Sequence, residues 1–320
     1  MCSYYLGIDT SNYKTSIAIV DELGNISFNK SEFLEVEHGK RGLRQSEAFF
    51  KQSNALPQFV NDAMSRVDPK EIKAVGVSSR PRRIEGSYMP VFLAGENAAK
   101  IISSTLEIPM YEFSHQEGHI EAVLSSSKPT NEGIIFFHLS GGTTEILKVH
   151  RNSNYGFDCE IIGGTKDISI GQLLDRIGVA IGMNFPAGPE LDRIASLNPI
   201  TLLPRKIKLS DGYFNLSGIE TDMMRKILNF DDAHKWIPGL FQTLSELLYE
   251  VSKDLATQYN LNSIYLCGGV SASDTIRSNI GELKEKDDNS NNLKFIFGEP
   301  SLSGDNAVGI ARLAAIRNDA

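Results

Sequence analysis

Cysteine is scarce: there are three in 320 residues, Cys2, Cys159 and Cys267, an odd number without zinc-type spacing. A disulfide framework and a thiolate metal site are therefore excluded. Long apolar runs are missing too, none reaching the roughly 18–20 residues a membrane helix needs. The opening Met1-Cys2-Ser3-Tyr4-Tyr5 lacks the basic and apolar segments of a secretory signal. These absences predict a reduced, cytoplasmic protein with no membrane association. No Walker Gly-x-x-x-x-Gly-Lys and no Rossmann fingerprint occurs. Positive charge is in deficit, 32 Lys+Arg against 40 Asp+Glu, and the net −8 discourages indiscriminate nucleic-acid binding. With 41% hydrophobic and 22% charged residues, the chain is no disordered tail, collagen or coiled coil.

What is present is a repeated layout. Apolar strands at Tyr4–Ile8 and Ser16–Val20 flank the polar turn Asp9-Thr10-Ser11-Asn12-Tyr13-Lys14-Thr15. About 130 residues on, strands at Gly133–Leu139 and Ile146–Val149 flank Ser140-Gly141-Gly142-Thr143-Thr144. That offset is too long for a solenoid, so a duplicated lobe is the reading. A third apolar run ends in small polar residues at Ile264–Ser271, and shorter strands are expected at Lys73–Ser79 and Met110–Phe113. Helical periodicity covers Ser46–Val67, Pro90–Ile102, Ile170–Met183, Ala233–Tyr259, Asp274–Lys284 and Asn306–Arg317, with Pro57 expected to kink or interrupt the first. Strands alternating with helices predict an α/β protein. The polar stretch Ser125–Asn131 suggests the boundary between lobes at 1–128 and 129–305, and Asp287–Asn292 reads as a surface loop.

Four constellations carry chemistry. Asp9-Thr10-Ser11, Ser140-Gly141-Gly142-Thr143-Thr144 and Gly268-Gly269-Val270-Ser271 each end a strand with hydroxyls and approachable backbone N–H groups, as phosphate binding requires. Singly these are ordinary turn residues; three in a duplicated lobe point to a nucleotide. In His115-Gln116-Glu117-Gly118-His119 the histidines at i and i+4 share a helical face and can both reach a metal. Two surface histidines remain the alternative, and Gln116 stands where a zincin needs its Glu. Asp305, in Gly304-Asp305-Asn306, is a candidate third ligand that spacing alone does not place. Phe185-Pro186-Ala187-Gly188-Pro189-Glu190 reads as a helix terminator, with Gly188 able to admit a ribose or base. Between Lys40 and Arg83, ten basic residues face four acidic ones, a net +6 that leaves −14 elsewhere. Arg80-Pro81-Arg82-Arg83, after the strand at Ala74–Ser79, is either a solvated face or an anion or RNA contact.

With these residues assembled, the chain resembles the TsaD family, formerly annotated O-sialoglycoprotein endopeptidase, of the actin/Hsp70/sugar-kinase (ASKHA) superfold. The similarity runs nearly end to end. Gly7-Ile8-Asp9-Thr10-Ser11 with Thr15 is similar to the first phosphate hairpin, Gly118-His119 to the histidine pair, and Ser140-Gly141-Gly142-x-Thr144 to the second hairpin. Asp167, Gly171 and Asp175, then Pro186-x-Gly188-Pro189, Ser217-Gly218, Gly268-Gly269-Val270-Ser271-Ala272 and Asp305-Asn306, follow in order. The resemblance implies two duplicated ASKHA lobes about a central cleft, with a helix over 306–318 packing back on the first. It implies one Fe²⁺ or Zn²⁺ held by His115, His119 and Asp305. An adenine nucleotide or acyl-adenylate, with Mg²⁺ a further candidate, would be held by Ser140, Gly141, Gly142, Asp167, Gly171, Asp175, Gly188, Gly269 and Ser271. Asp9, Ser11 and Thr144 would be catalytic. Family members transfer a threonylcarbamoyl group from threonylcarbamoyl-adenylate to N6 of a tRNA adenosine. They work with accessory proteins, including a same-fold paralogue, so accessory proteins or a homodimer or heterodimer are implied. tRNA would meet the basic 40–83 region.

The departures concentrate in the loops. The acidic residues of the family's first turn give way to Asn12-Tyr13-Lys14, and its Gly-Pro-Gly loop to Arg80-Pro81-Arg82-Arg83. Thr143, Gln172, Asn184 and Ser273 replace a His, a Glu, an Asp and an Asn. Two alternatives follow: a small-molecule carbamoyltransferase, or a nucleotide-binding partner protein with little catalysis. A peptidase is least supported, because neither a water-activating Glu nor a nucleophile triad is visible.

Overall fold

A computed structural model describes all residues except 1, 12–13, 36–42, 125–132, 155, 228–229, 288–291 and 320. The lobe boundary expected at Ser125–Asn131 and most of the loop at Asp287–Asn292 lie outside the described residues. The chain divides into two units. The first holds residues 1–129, 151–158 and 305–320, and the second residues 130–150 and 159–304. Two stretches depart from a single break at 128. Residues 151–158 group with the first unit because their backbone and Arg151 bond to buried glutamates there, and Asp305 does so because it lies against two histidines.

The first unit carries a five-stranded sheet of β1 (Tyr4–Asp9), β2 (Lys14–Asp21), β3 (Ile26–Phe33), β4 (Ile72–Arg80) and β5 (Met110–Ser114), in the order β3-β2-β1-β4-β5. β1 to β3 form an antiparallel meander, and β4 and β5 join parallel to β1. α1 (Gln45–Met64), α2 (Leu93–Leu106), α3 (His115–Leu124) and α9 (Val308–Asn318) pack around it. α1 continues through Pro57 to Met64, contrary to the expected interruption. Ala48, Gln52, Leu56, Phe59 and Ala63 recur every three or four residues and are buried together, which offsets the one lost hydrogen bond. Phe50 of the same helix is exposed.

The second unit repeats the topology. β6 (Ile134–Leu139), β7 (Thr144–Arg151), β8 (Phe157–Thr165), β11 (Ser263–Cys267) and β12 (Lys294–Phe297) take the order β8-β7-β6-β11-β12, matching β3-β2-β1-β4-β5 position for position. Two short strands, β9 (Leu209–Ser210) and β10 (Tyr213–Phe214), extend its edge beyond β8. α4 (Ile170–Ala180), α5 (Gly188–Leu197), α6 (Ser217–Lys226), α7 (Phe230–Tyr259) and α8 (Asp274–Lys286) supply the rest of its core. The Phe185–Glu190 segment does not end a helix: Gly188 opens α5, and Pro189 sits in the first turn, where a missing N–H costs nothing. α4 has already stopped near Gly182, whose φ of +92° ends it.

α9 is the element that completes the first unit. It is apolar nearly all round and buried along most of its length, as a helix crossing a core must be. Glycines let it approach. A Cβ on Gly7 of β1 would lie 2.4 Å from Ala307 O, and one on Gly76 of β4 2.7 Å from Ile310 O. The tightest crossing is with α3, where a Cβ on Gly309 would lie 1.9 Å from Gly118 O. No side chain fits there without moving one helix. Gly309→Ala is accordingly expected to destabilise the protein by about 1–3 kcal/mol or more, seen as a lowered Tm in thermal denaturation.

Candidate metal centre and nucleotide loops

β5 ends at Ser114, and α3 begins at once with His115. The Ser114 N–H and hydroxyl donate to Glu117 Oε2 at 2.7 and 2.8 Å, which fixes the first turn. One helical turn separates His115 from His119, so both rings leave the same side. Their Nε2 atoms lie 2.9 Å apart, and Asp305 Oδ1 lies 3.4 Å from the first and 3.3 Å from the second. Asp305 precedes α9 by three residues, so the glycine crossing delivers it. All three residues belong to the first unit.

Asp9, at the end of β1, is buried behind His115. Its Oδ2 lies 3.0 Å from His115 Nδ1 and accepts from the Ser11 hydroxyl at 2.9 Å. Its Oδ1 accepts from the Ser11 N–H and the Ser78 hydroxyl. A carboxylate on Nδ1 fixes the imidazole tautomer and leaves Nε2 free to ligate. The surrounding charges favour a proton on this ring, which a metal ion at Nε2 would displace. Burial would lower the His115 pKa, but the charge of Asp9 and the hydrogen bonds to Asp305 and Asp9 push it up to about 10. Burial and the neighbouring His115 charge lower that of His119. Against burial, hydrogen bonds to both histidines hold Asp305 well below the usual carboxylate range.

The donor set fits a divalent ion. Two imidazole nitrogens and one carboxylate oxygen lie within 4.8 Å of one another. Ligands bonded at ~2.1 Å stand about 2.9 Å apart at right angles and about 3.4 Å apart in a tetrahedron, as these atoms do. A two-His, one-carboxylate set with open positions suits Fe²⁺ or Zn²⁺.

α3 is buried on its other side by two ion pairs. Glu117 Oε1 lies 3.3 Å from Arg83 Nη1 and accepts from the Phe157 N–H at 3.2 Å. Glu121 lies 2.8 Å from Arg151, and burial raises its pKa against that attraction. Sequence reasoning singled out neither glutamate nor Ser78. For Glu117 a signal existed, an acidic residue between the two histidines. Arg83 is thus tied to Glu117, with its side chain still 39% exposed. The basic window also fails to make one face: Lys70 and Lys73 lie at the start of β4 and Arg80 at its end, nine residues or roughly 27 Å along the strand. Lys40 and Arg41 lie outside the described residues.

In the second unit the other expected site residues come together. Thr143 N–H donates to the Ser140 hydroxyl at 3.0 Å, closing the second turn. The Ser169 hydroxyl donates to Gly141 O at 2.8 Å, and a Cβ on Gly171 would lie 2.5 Å from Gly141 Cα, so the turn rests on the start of α4. Gly268, with φ of +101°, backs onto Leu139 O and brings the Gly269–Ser271 loop beside it. Asp175 accepts from the Ala187 N–H at 2.8 Å, fixing the approach to Gly188. Gly141, Gly142, Gly188 and Gly269 all have open space where a Cβ would stand. Thr144, expected with Asp9 and Ser11, lies in this unit; its hydroxyl accepts from the Ile170 N–H at 2.9 Å. The Ser271 hydroxyl donates to Gly268 O. Asp167 accepts from the N–H groups of Ile168, Leu216 and Ser217 at 2.7–3.0 Å.

A family model described as "tRNA N6-adenosine threonylcarbamoyltransferase" matches residues 37–312. The chain belongs to the TsaD family. By that membership it is an enzyme of the transferase class. A TsaD-family relative from Methanopyrus kandleri, named tRNA N6-adenosine threonylcarbamoyltransferase, is 27% identical over 96% of this chain and 85% of its own length. Solved structures confirm the ASKHA fold. HypF of T. kodakarensis superposes with TM-score 0.63 at 12% identity, over 99% of this chain and 48% of HypF. A ROK family glucokinase from Streptomyces griseus gives 0.52 at 15%, over 98% and 99%. Among the described residues of this TsaD-family chain, no helix is long and apolar enough to cross a membrane.

Two outcomes are expected. His115→Ala should abolish bound metal, and Asp9→Asn should weaken it about 10–100-fold, both read by metal analysis and chelator competition. For Asp167, burial opposes the charge, but the backbone donors outweigh it and hold the carboxyl well below the usual range. Its stabilisation is complete above the ordinary value near 3.8 and is lost as pH falls toward the folded value. Asp167→Asn should therefore lower Tm at neutral pH and flatten its decline on acidification.

Proposed function

We propose that the chain transfers a threonylcarbamoyl group from threonylcarbamoyl-adenylate to N6 of a tRNA adenosine, using one Fe²⁺ or Zn²⁺ at His115, His119 and Asp305. The observation that carries this reading is the convergence of those three donors, backed by Asp9, in a chain of this family. A bound divalent ion would supply Lewis-acid polarisation and hold substrate oxygens. Asp9 and Ser11 position His115 from behind. The N–H groups of Gly141 and Gly142 and the hydroxyl of Ser140 bind phosphate, and Thr144 holds that turn against α4. Asp167, Gly171, Asp175, Gly188, Gly269 and Ser271 shape the adenine nucleotide pocket, with Mg²⁺ as counter-ion. In the transfer, the adenosine amine attacks the carbamoyl carbonyl, the carbon–oxygen bond to phosphate breaks, AMP leaves with the electron pair, and the amine proton passes to solvent.

tRNA meets part of the basic 40–83 region, in the cytoplasm and with accessory proteins or a same-fold partner. Purified protein supplied with threonylcarbamoyl-adenylate, unmodified tRNA and the accessory proteins should yield threonylcarbamoyladenosine by mass spectrometry of digested tRNA. No product under those conditions sinks the reading. A second reading, a small-molecule carbamoyltransferase, is favoured by the cation Lys14 standing at Asp305. It predicts that carbamoyl phosphate with ATP is consumed only when a small amine or hydroxyl acceptor is present. Nucleotide-dependent partner binding without any turnover would instead identify a partner protein.

A further inference from the structure

One polar side chain interrupts the inward face of α1. The buried residues of that helix are Ala48, Gln52, Leu56, Phe59 and Ala63, and Gln52 is completely enclosed. A carboxamide taken out of water is costly unless hydrogen bonds replace those it loses. Gln52 directs its Nε2 protons at the first turn, donating to Thr10 O at 3.0 Å and to Lys14 O at 3.2 Å. It thereby ties the chain leaving β1 to the first residue of β2. Thr10 is also held at its hydroxyl, which accepts from the Gly95 N–H at 3.1 Å near the start of α2.

The residues at these two carbonyls reach the candidate metal centre. Ser11, next to Thr10, donates its N–H and its hydroxyl to Asp9, whose Oδ2 lies 3.0 Å from His115 Nδ1. Lys14 places its own Nζ 3.4 Å from Asp305 O. The turn thus contacts both carboxylate residues that flank His115, one through Ser11 and the other through Lys14. We propose that Gln52 is a positioning residue of the metal centre, fixing Asp9 and Asp305 about His115 by clamping the turn that touches both. It acts through the turn and is not itself a ligand. Without its two donors the ends of the turn are no longer joined from behind, and Ser11 and Lys14 are free to leave their partners. This inference rests on the metal reading of His115, His119 and Asp305. It does not depend on which acceptor or nucleotide the enzyme uses.

Cobalt-loaded protein tests this without turnover, because the visible absorption of Co²⁺ follows the geometry of its ligands. Gln52→Met keeps the length of the side chain without its donors, and Gln52→Glu keeps its shape. Leu56→Ala, one turn further along the same buried face, removes packing alone. Both Gln52 variants should hold cobalt about tenfold more weakly in chelator competition, with an altered spectrum. Leu56→Ala should lower Tm yet keep the wild-type affinity and spectrum. In the wild type, loading the metal should slow amide exchange in the part of α1 that carries Gln52, a readout that needs no variant. If a folded Gln52 variant keeps the wild-type affinity and spectrum, if Leu56→Ala shifts both as far, or if exchange in α1 ignores the metal, the positioning role is refuted while the metal reading stands. If wild-type protein takes up no cobalt, or His115→Ala takes up as much, the metal reading falls and this inference with it.

Discussion

The candidate metal centre depends on two helices crossing at bare backbone. α9 touches α3 where Gly309 meets the carbonyl of Gly118, an approach that leaves no room for a single methyl group. Gly7 and Gly76 allow the same helix to lie directly on β1 and β4. Because α9 is held this closely, the residues leading into it are held too, and Asp305 arrives 3.3–3.4 Å from two histidines that precede it by nearly two hundred residues. Close packing converts a distant sequence position into an immediate neighbour of the histidine pair.

The same helix α3 carries opposed charge on its two sides. His115 and His119 face Asp305 and Asp9, whereas Glu117 and Glu121 are neutralised by Arg83 and Arg151. Buried carboxylates without such partners would cost several kcal/mol each, so the two arginines are requirements of the helix as well as features of the surface. This explains part of the basic loop at 80–83: Arg83 pairs with Glu117 and so serves the fold. Lys14 reaches the site from the other altered loop.

In the second unit the geometry is of a different kind. Strands repeat in the order of the first, but the turns after β6 and β11 present glycines, whereas β1 ends in the buried carboxylate of Asp9. Open space above Gly141, Gly142, Gly188 and Gly269 suits a ligand that approaches backbone, as phosphates do. Duplication therefore supplied one topology, and the turn residues gave its two copies different chemistry.

The amino-acid sequence by itself determined the α/β class, the duplicated strand–turn–strand layout and the histidine pair, because these are written in local periodicity and spacing. Six helices and most strands were legible on that basis; β3, β8, β9, β10, β12, α5 and α6 were not, since they are short or their exposed or mixed faces carry no clean period. The effect of Pro57 was misread because local propensity weighs one lost hydrogen bond and cannot see the buried face that outweighs it. Only the tertiary structure decided that Asp305 joins the histidines, that Asp9 stands behind His115, that Arg83 is spent on Glu117, and that the basic window splits between two ends of β4. Each of these is a contact between residues far apart in the chain, set by backbone crossings and by which charges are buried together, and no local pattern encodes either.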